Sequence, residues 1–480
     1  MGESPEEIVS RSPAAPDDVV GRFSVADVEA VNHAVGRAAA AFHAWRDLGL
    51  AGRAAVLERF RDLANVRAEE GARLVAREVG KALWDARGET RLLGPKVDVS
   101  LAEGMALVAE QDAGGGARAT HHPRGVLAVL GPFNFPAHLP NGHIVPALAT
   151  GNSVVFKPSE VAPAVGEWLV GLFREAGLPE GVLEVVHGGV ETGGQLATHR
   201  SVDGVLFTGS WRAGRALSEA TLDQPFKILA LEMGGRNAVV VMDDADLDLA
   251  VAESALSIAV TTGQRCSCAS RLFVHRKLAD AFTDKLRAVL GGLAIGDPMD
   301  DGVFMGPLAT AAAHAKVLHY RRLAEEAGGE RILEVDPKLP APFIGPGLVR
   351  FPRADQDHPC QRDEIFGPEA ALYPVDDLDE AVAAVNDSDY GLVASVFTRD
   401  RARWEHCVGR VRTGLLNWNK GTTGASGKLP FGGLGRSGND RPAGVSASLY
   451  CTHPQAHLEV DGASARLDPE SLPPGMPRPR

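Results

Sequence analysis

Short apolar runs separated by helical patterns constrain this chain more than any other feature. Val126-Leu-Ala-Val-Leu130 ends in Gly-Pro, as a buried parallel strand would, and comparable runs recur at Ser153–Phe156, Leu183–Val186, Gly204–Phe207 and Ala238–Met242. Several are joined by stretches with apolar residues at helical spacing. Strands that alternate with helices pack as a parallel sheet covered on both faces. The pattern predicts a doubly wound α/β fold.

Upstream, Ser24 to about Val79 reads as amphipathic helix: Val28, Val31, Val35 and Ala38 recur at helical spacing, and Val56, Phe60 and Leu63 repeat the device. Gly114-Gly-Gly116 marks a loop. A second α/β region follows the first, with helical patterns at Ala250–Val260, Ala281–Leu290, Ala309–Ala327 and Ala381–Asn386 and strand-like runs at Arg271–Val274 and Ala394–Phe397. Pro337–Pro346 is a loop. The tail from Asp461, with prolines at 469, 473, 474, 477 and 479, reads as disordered.

At 480 residues the chain exceeds what one core supports, so two large domains with small attachments are expected. A net charge of −13 argues against a general nucleic-acid or membrane-surface role, which needs a basic face. It still permits a local cationic pocket for an anionic small molecule. The cysteines at 266, 268, 360, 407 and 451 have no metal-ligand spacing and are odd in number, so neither a bound metal nor a disulfide framework is expected. The start, Met-Gly-Glu-Ser-Pro-Glu-Glu, has no apolar leader core, and no run approaches the ~18 apolar residues of a membrane span. These features read as a cytoplasmic protein.

The chemistry gathers around Thr262-Gly-Gln-Arg-Cys266-Ser, a cysteine on a Gly/Gln turn, and Leu-Glu232-Met-Gly-Gly235 upstream of it. A thiol and a carboxylate on separate segments can divide one reaction into two steps. The thiol forms a covalent intermediate and the carboxylate activates the water that resolves it. The alternative for Cys266 is a small packing residue, and Cys268 reads that way first. A free thiol has a pKa near ~8.5, so a nucleophilic Cys266 implies a site that lowers it.

Three further segments stand in order with these: Gly131-Pro-Phe-Asn134-Phe-Pro136, Val154-Val-Phe-Lys157-Pro-Ser-Glu160 and Leu206-Phe-Thr-Gly209-Ser210-Trp-Arg-Ala-Gly214. With them the chain resembles the NAD(P)-dependent aldehyde dehydrogenase superfamily from about Pro13 to about Glu459. Asn134-Phe-Pro-Ala-His138-Leu-Pro-Asn-Gly-His143-Ile-Val-Pro, Gln264-Arg-Cys-Ser-Cys268, Asn417-Trp-Asn-Lys420 and Ser437-Gly-Asn-Asp-Arg441-Pro are similar to the branch acting on N-succinylglutamate 5-semialdehyde in arginine catabolism. The chain departs from that branch at Asn439-Asp440, where many relatives have Asn-His, and at Gly235-Arg236-Asn237, where they have Gly-Asn-Asn. It also reads as lacking an N-terminal strand pair.

The resemblance implies a Rossmann-type NAD-binding domain (1–106 and 124–234), an α/β catalytic domain (235–447), a small oligomerisation arm (107–123 and 448–460) and a tail (461–480). It makes Cys266 the nucleophile, Asn134 the oxyanion donor together with the cysteine N–H, and Glu232 the base for water. The bland alternatives are a turn-forming Asn134 and an exposed Glu232 at a strand end. Lys157 and Glu160 would face the cofactor ribose. A carboxylate accepts from ribose hydroxyls and repels a 2′-phosphate, so Glu160 favours NAD. Gly209, Ser210 and Gly214 would open a helix toward the pyrophosphate. Glu364 and Phe366 would hold the nicotinamide ribose and ring, and Phe133 stands where many relatives carry Trp.

The implied substrate is a small anionic aldehyde, for which Arg265, Lys420, Lys428, Arg436 and Arg441 are candidate cations, each also readable as a solvated surface charge. His138 and His143, on a helix after Asn134, read as packing residues. The implied assembly is a homodimer or homotetramer. Three rivals stay open: another semialdehyde as substrate, coenzyme A taking the acyl group in place of water, and a non-catalytic protein on the same scaffold. Glu232 argues against coenzyme A, because relatives that use it commonly lack that base.

Overall fold

The apolar runs form two parallel sheets in the computed structural model, which describes residues 7–479. The acidic start read at residues 1–6 lies outside the described residues. The first sheet has five strands in the spatial order Leu183–Val185, Ser153–Lys157, Val126–Leu130, Gly204–Thr208 and Ile228–Glu232, every neighbouring pair parallel. Successive strand residues point to opposite faces. Leu127 and Val129 therefore enter one apolar core with Phe156, Leu169 and Phe173, while Val126, Ala128 and Leu130 enter another with Val31, Val35 and Ala38. Helix Val28–Asp47 covers the second face, and its first turn is capped by Asp27, whose side chain accepts from Ala30 N at 2.8 Å. Chain direction of winding reverses between Val126–Leu130 and Gly204–Thr208, and ligands of doubly wound sheets bind beyond the carboxyl ends at such a point.

The second sheet has seven strands, ordered Glu330–Glu334, Gly347–Arg350, Glu369–Val375, Ala269–His275, Asn237–Val241, Val393–Phe397 and Leu415–Trp418. All neighbours are parallel except the first pair. The run expected at Ala238–Met242 belongs here, as Asn237–Val241, and not beside the first group. A third, antiparallel sheet joins Gln111–Gly114, Ala117–Pro123 and Thr452–Leu458, segments from opposite ends of the chain.

One expectation is overturned. Glu7–Arg11 and Val19–Ser24 form the N-terminal strand pair that the sequence was read as lacking. The pair is closed by an Arg22–Glu7 ion pair of 2.7 Å and docked by Ser10 Oγ, which donates to Glu78 Oε1 at 2.6 Å. Among the described residues of the tail, regular helix is confined to the single 3₁₀ turn Pro469–Ser471. Among the described residues no helix is long and apolar enough to cross a membrane, all five cysteines are free, and no cluster of three or more His, Cys, Asp or Glu is arranged to hold a metal ion.

Candidate active site

The first sheet supplies its residues from the carboxyl ends of its strands: Asn134 follows Val126–Leu130, Lys157 ends Ser153–Lys157, Gly209 follows Gly204–Thr208 and Glu232 ends Ile228–Glu232. The second sheet supplies its residues from amino ends, with Asn237 opening one strand, Cys266 preceding Ala269–His275, and Glu364 and Phe366 preceding Glu369–Val375.

Cys266 sits on a strained loop. Thr261 and Thr262, with φ of 53° and 54°, are both left-handed, which is a genuine departure for a β-branched residue and costs about 1–3 kcal/mol each. Tertiary hydrogen bonds hold them there. Thr261 Oγ1 donates to Asp85 Oδ2 at 2.6 Å and Thr262 Oγ1 donates to Gly306 O at 2.9 Å. Gly263, φ 71°, lies so close to Gly367 that a Cβ would overlap its carbonyl group, which presses the cysteine loop against the Glu364–Phe366 segment. Beyond the turn, Asn237 Nδ2 donates to the carbonyls of Cys266 at 2.7 Å and Cys268 at 2.8 Å. Cys266 itself is half-buried and Cys268 buried.

Asn134 is buried and its amide donates to Gln264 O at 2.8 Å, which ties it to the cysteine loop. Glu232 is 5% exposed, and its Oε2 has no hydrogen-bond partner. Burial pushes its carboxyl well above the ordinary range against one backbone N–H, that of Ala443. Its main chain is held on both sides, because Gly209 N donates to Glu232 O at 3.0 Å and Met233 N donates to Ser437 O at 2.9 Å. The loop carrying Ser437 thus lies against Glu232.

The thiol of Cys266 is pushed up, not down: burial is the largest cause, followed by the negative fields of Glu364 and Glu232. This reverses the expectation from the sequence. Arg265 opposes the shift only weakly, because its guanidinium pairs with Asp85 at 2.6 Å.

Glu364 Oε1 accepts from Gly235 N at 2.8 Å, and Gly234 beside it has no room for a Cβ. Burial raises the Glu364 carboxyl to about 7, against that N–H and the Lys316 ammonium. Phe366, also left-handed at φ 60°, meets Phe133 edge-on with ring centres 5.9 Å apart. Lys157 is buried, donates to Pro158 O at 3.0 Å and lies 3.7 Å from the exposed Glu160. Ser210 caps helix Trp211–Ala220 by accepting from Ala213 N at 3.3 Å, and Gly214 passes under Met233, where a Cβ would overlap its sulfur.

The candidate cations separate by partner. Arg436 pairs with Asp389 at 3.0 Å and Lys428 with Glu103 at 2.8 Å. Arg265, besides Asp85, donates to Thr261 Oγ1 at 2.8 Å and lies over the Phe135 ring at 4.7 Å. Arg441 donates to Asp440 O at 2.8 Å. Lys420 is exposed, and among the described residues its side chain meets no carboxylate. His143 bridges Tyr450 OH at 2.8 Å and Thr208 Oγ1 at 3.2 Å, and burial lowers it to about 3 and His138 to about 4.

Sequence reasoning missed Asp85, Glu89 and Asn237. The two acids lie four apart and buried on helix Leu83–Thr90, where a carboxylate persists only with partners. That spacing among apolar neighbours was the available signal. Asn237 offered none beyond following Gly234-Gly235.

Residues 1–456 match the family model described as Aldehyde dehydrogenase family. The chain is 42% identical over 470 residues to N-succinylglutamate 5-semialdehyde dehydrogenase 1 of Caulobacter vibrioides, covering 97% of this chain and 98% of that protein. Among solved structures it superposes with TM-score 0.90 and 30% identity on an NAD-dependent aldehyde dehydrogenase from Sinorhizobium meliloti, covering 97% of this chain and 93% of that one. It also superposes on 1-pyrroline-5-carboxylate dehydrogenase from Thermus with bound NAD, at TM-score 0.89 and 29% identity over 95% and 90% of the two chains. By sequence along nearly its whole length, and by a fold that superposes on solved members, the chain belongs to the aldehyde dehydrogenase family.

Proposed function

We propose that this aldehyde dehydrogenase oxidises N-succinyl-L-glutamate 5-semialdehyde to N-succinyl-L-glutamate, with NAD⁺ as hydride acceptor and Cys266 as nucleophile. The observation that carries the catalytic roles is the buried, unpartnered Glu232 Oε2 acting on the Cys266 thiol, beside an Asn134 amide bonded to the same loop. The substrate reading is supported by identity to relatives of that name over 97% of the chain.

The residues present fit NAD. Gly234 lets the Glu364 carboxylate lie closer to the chain than any Cβ would allow, the Ser210-capped helix Trp211–Ala220 directs its first N–H groups past Gly209, and Glu160 keeps an exposed carboxylate beside Lys157. Lys157 and Glu160 would hold one ribose and Glu364 the other, with Phe133 and Phe366 bordering the ring. When bound, NAD⁺ supplies the acceptor for the aldehyde hydride.

Burial favours the protonated thiol, so Cys266 needs a base as the aldehyde arrives. Glu232 takes the thiol proton while sulfur bonds to the carbonyl carbon. The Asn134 amide, with one N–H on Gln264 and the other free, shares the resulting oxyanion with the Cys266 N–H. Loss of hydride leaves a thioester on Cys266. Glu232 passes the thiol proton to bulk solvent, then takes a proton from water as the water oxygen bonds to the thioester carbon, and it returns that proton to the departing sulfur, releasing the carboxylate and the thiol. A base whose pKa lies above the ordinary carboxylate value is better matched to this task near neutral pH.

We assign residues 1–106 and 124–234 to cofactor binding, 235–447 to catalysis, and 107–123 with 448–460 to an arm that joins copies of the chain into a homodimer or homotetramer. The test is release of NADH from succinylated and free semialdehydes, with and without coenzyme A. Oxidation of the succinylated aldehyde at the highest kcat/KM, with free acid as product in both arms, is expected. A higher kcat/KM for another aldehyde would overturn the substrate, and acyl-CoA formation would overturn the role of water.

A further inference from the structure

Arg236 belongs to the motif at which this chain departs from its branch, and it lies between two residues that touch the catalytic loops. Gly235 N binds Glu364, and Asn237 holds the carbonyls of Cys266 and Cys268. The Arg236 side chain is 3% exposed and lines a cavity of about 40 Å³ together with Ser270, Tyr320, Arg321, Arg331 and Glu369.

The other two cations of this cavity are neutralised, Arg321 by Glu369 and Glu334, Arg331 by Glu325 and Glu334. Arg236 has only carbonyls: its guanidinium donates to Gln361 O at 2.9 Å and more weakly to Cys360 O at 3.4 Å. Its Nε is buried without a partner, and so is Ser270 Oγ in the same cavity. Glu364 acts on Arg236 from a distance, after Tyr373 and Cys360, and its own hydrogen bond goes to Gly235 N. Arg271, buried next to it, is satisfied by four carbonyls, three of them from Ala384, Val385 and Asp387 at the end of helix Leu378–Asn386. Arg236 has no such helix end. Burying a guanidinium without a counter-charge costs several kcal/mol, and the cavity has room for about three water-sized bodies.

We propose that this cavity is a binding site for a small inorganic monoanion of halide size, held by the N–H of Arg236 Nε and the hydroxyl of Ser270. The volume excludes a bulky organic acid, and the donor pair is matched to a single acceptor. An anion there would steady the strand start that orients the Cys266 carbonyl.

The direct test is diffraction at the bromine absorption edge from crystals of the full chain grown in bromide. An anomalous peak within hydrogen-bond reach of Arg236 Nε and Ser270 Oγ is expected. Water density without anomalous signal would overturn the site. Thermal unfolding in sodium chloride against sodium gluconate at equal ionic strength gives a second readout. Chloride at about a hundredfold its dissociation constant should raise the midpoint by about 3 °C in the wild type. The rise should vanish in Arg236→Gln and shrink in Ser270→Ala, and the same rise in a folded Ser270→Ala protein would also overturn the proposal.

Discussion

Removing the Glu89 carboxylate should destabilise this protein by far more than a surface ion pair would. Glu89 and Lys81 have fully buried side chains and meet at 2.5 Å. The second carboxylate oxygen accepts from Ala137 N at 2.9 Å and His138 N at 3.1 Å, at the start of helix His138–Ala149 and three residues after Asn134. The Lys81 ammonium also lies 3.6 Å over the ring of Phe135. Glu89→Leu therefore strands a buried ammonium and two helix-start donors at once. Breaking a buried pair costs about 3–5 kcal/mol, and each orphaned donor about 1–3 kcal/mol. These groups share one site and relax together, so a total of about 5 kcal/mol is expected. Lys81→Met leaves Glu89 with both N–H donors and should cost only about 2 kcal/mol. The double variant replaces the pair by apolar groups and should be less destabilised than Glu89→Leu alone. Urea denaturation followed by tryptophan fluorescence measures all four proteins. If the single effects simply add in the double variant, or if Glu89→Leu costs less than about 1 kcal/mol, the pair does not anchor the Asn134 segment.

Cys266→Ala should abolish NADH production while NAD⁺ binding, followed by calorimetry, persists; retained turnover would remove the sulfur from the reaction. Glu232→Gln should impair turnover, and any NADH burst that survives should exceed its steady rate, since water is then no longer activated. Burial places the Glu232 pKa well above 4.5. Because only the ionised form is a base, wild-type deacylation should fall as pH drops through that raised value, and the limb should be absent in Glu232→Gln. Glu364 titrates near 7 when folded and near 4.5 when unfolded. The stability it contributes in acid is thus lost as pH rises from about 4.5 through about 7. Glu364→Gln should flatten that part of the stability profile, and an unchanged profile would contradict its burial. Lys420→Ala should raise KM for a succinylated aldehyde several-fold more than for a neutral one, whereas Arg436→Ala, already paired with Asp389, should affect both alike; the reverse ranking would assign the carboxylate contact to Arg436.

What could be read from the sequence depended on whether local pattern or distant partners decide the outcome. Val126–Leu130 and Gly204–Thr208 were legible because both faces of each strand are buried, so nearly every position must be apolar or small. Glu330–Glu334 and Gly347–Arg350 were not, since the first is the sheet's edge strand, the second lies just inside it with mixed exposure, and both flank Pro-rich loop signals. The N-terminal pair escaped for a similar reason: its residues are mostly half-exposed, and its docking depends on Glu78, far along the chain. In the site, Cys266 and Glu232 stood out as candidates beside glycines, and Gly263 and Gly234 are points where backbone or carboxylate passes too close for a Cβ, whereas Glu364 was named through the family resemblance alone.

Charge was the part that sequence could not supply. Arg265 is next to Cys266 in the chain, which suggested a lowered thiol, yet its field is compensated by Asp85, 180 residues away. The carboxylates that raise the thiol, Glu364 and Glu232, arrive from two other segments. The same holds for Lys428 and Arg436, whose partners Glu103 and Asp389 no local motif announces. A nucleophile's identity follows from the turn that presents it, whereas its protonation state is a sum over every charge the fold gathers. For this chain that sum favours a protonated thiol under the field of a raised carboxyl, so under the proposed mechanism the two groups exchange a proton before sulfur attacks, and the pH dependence of acylation should report the pair and not Cys266 alone.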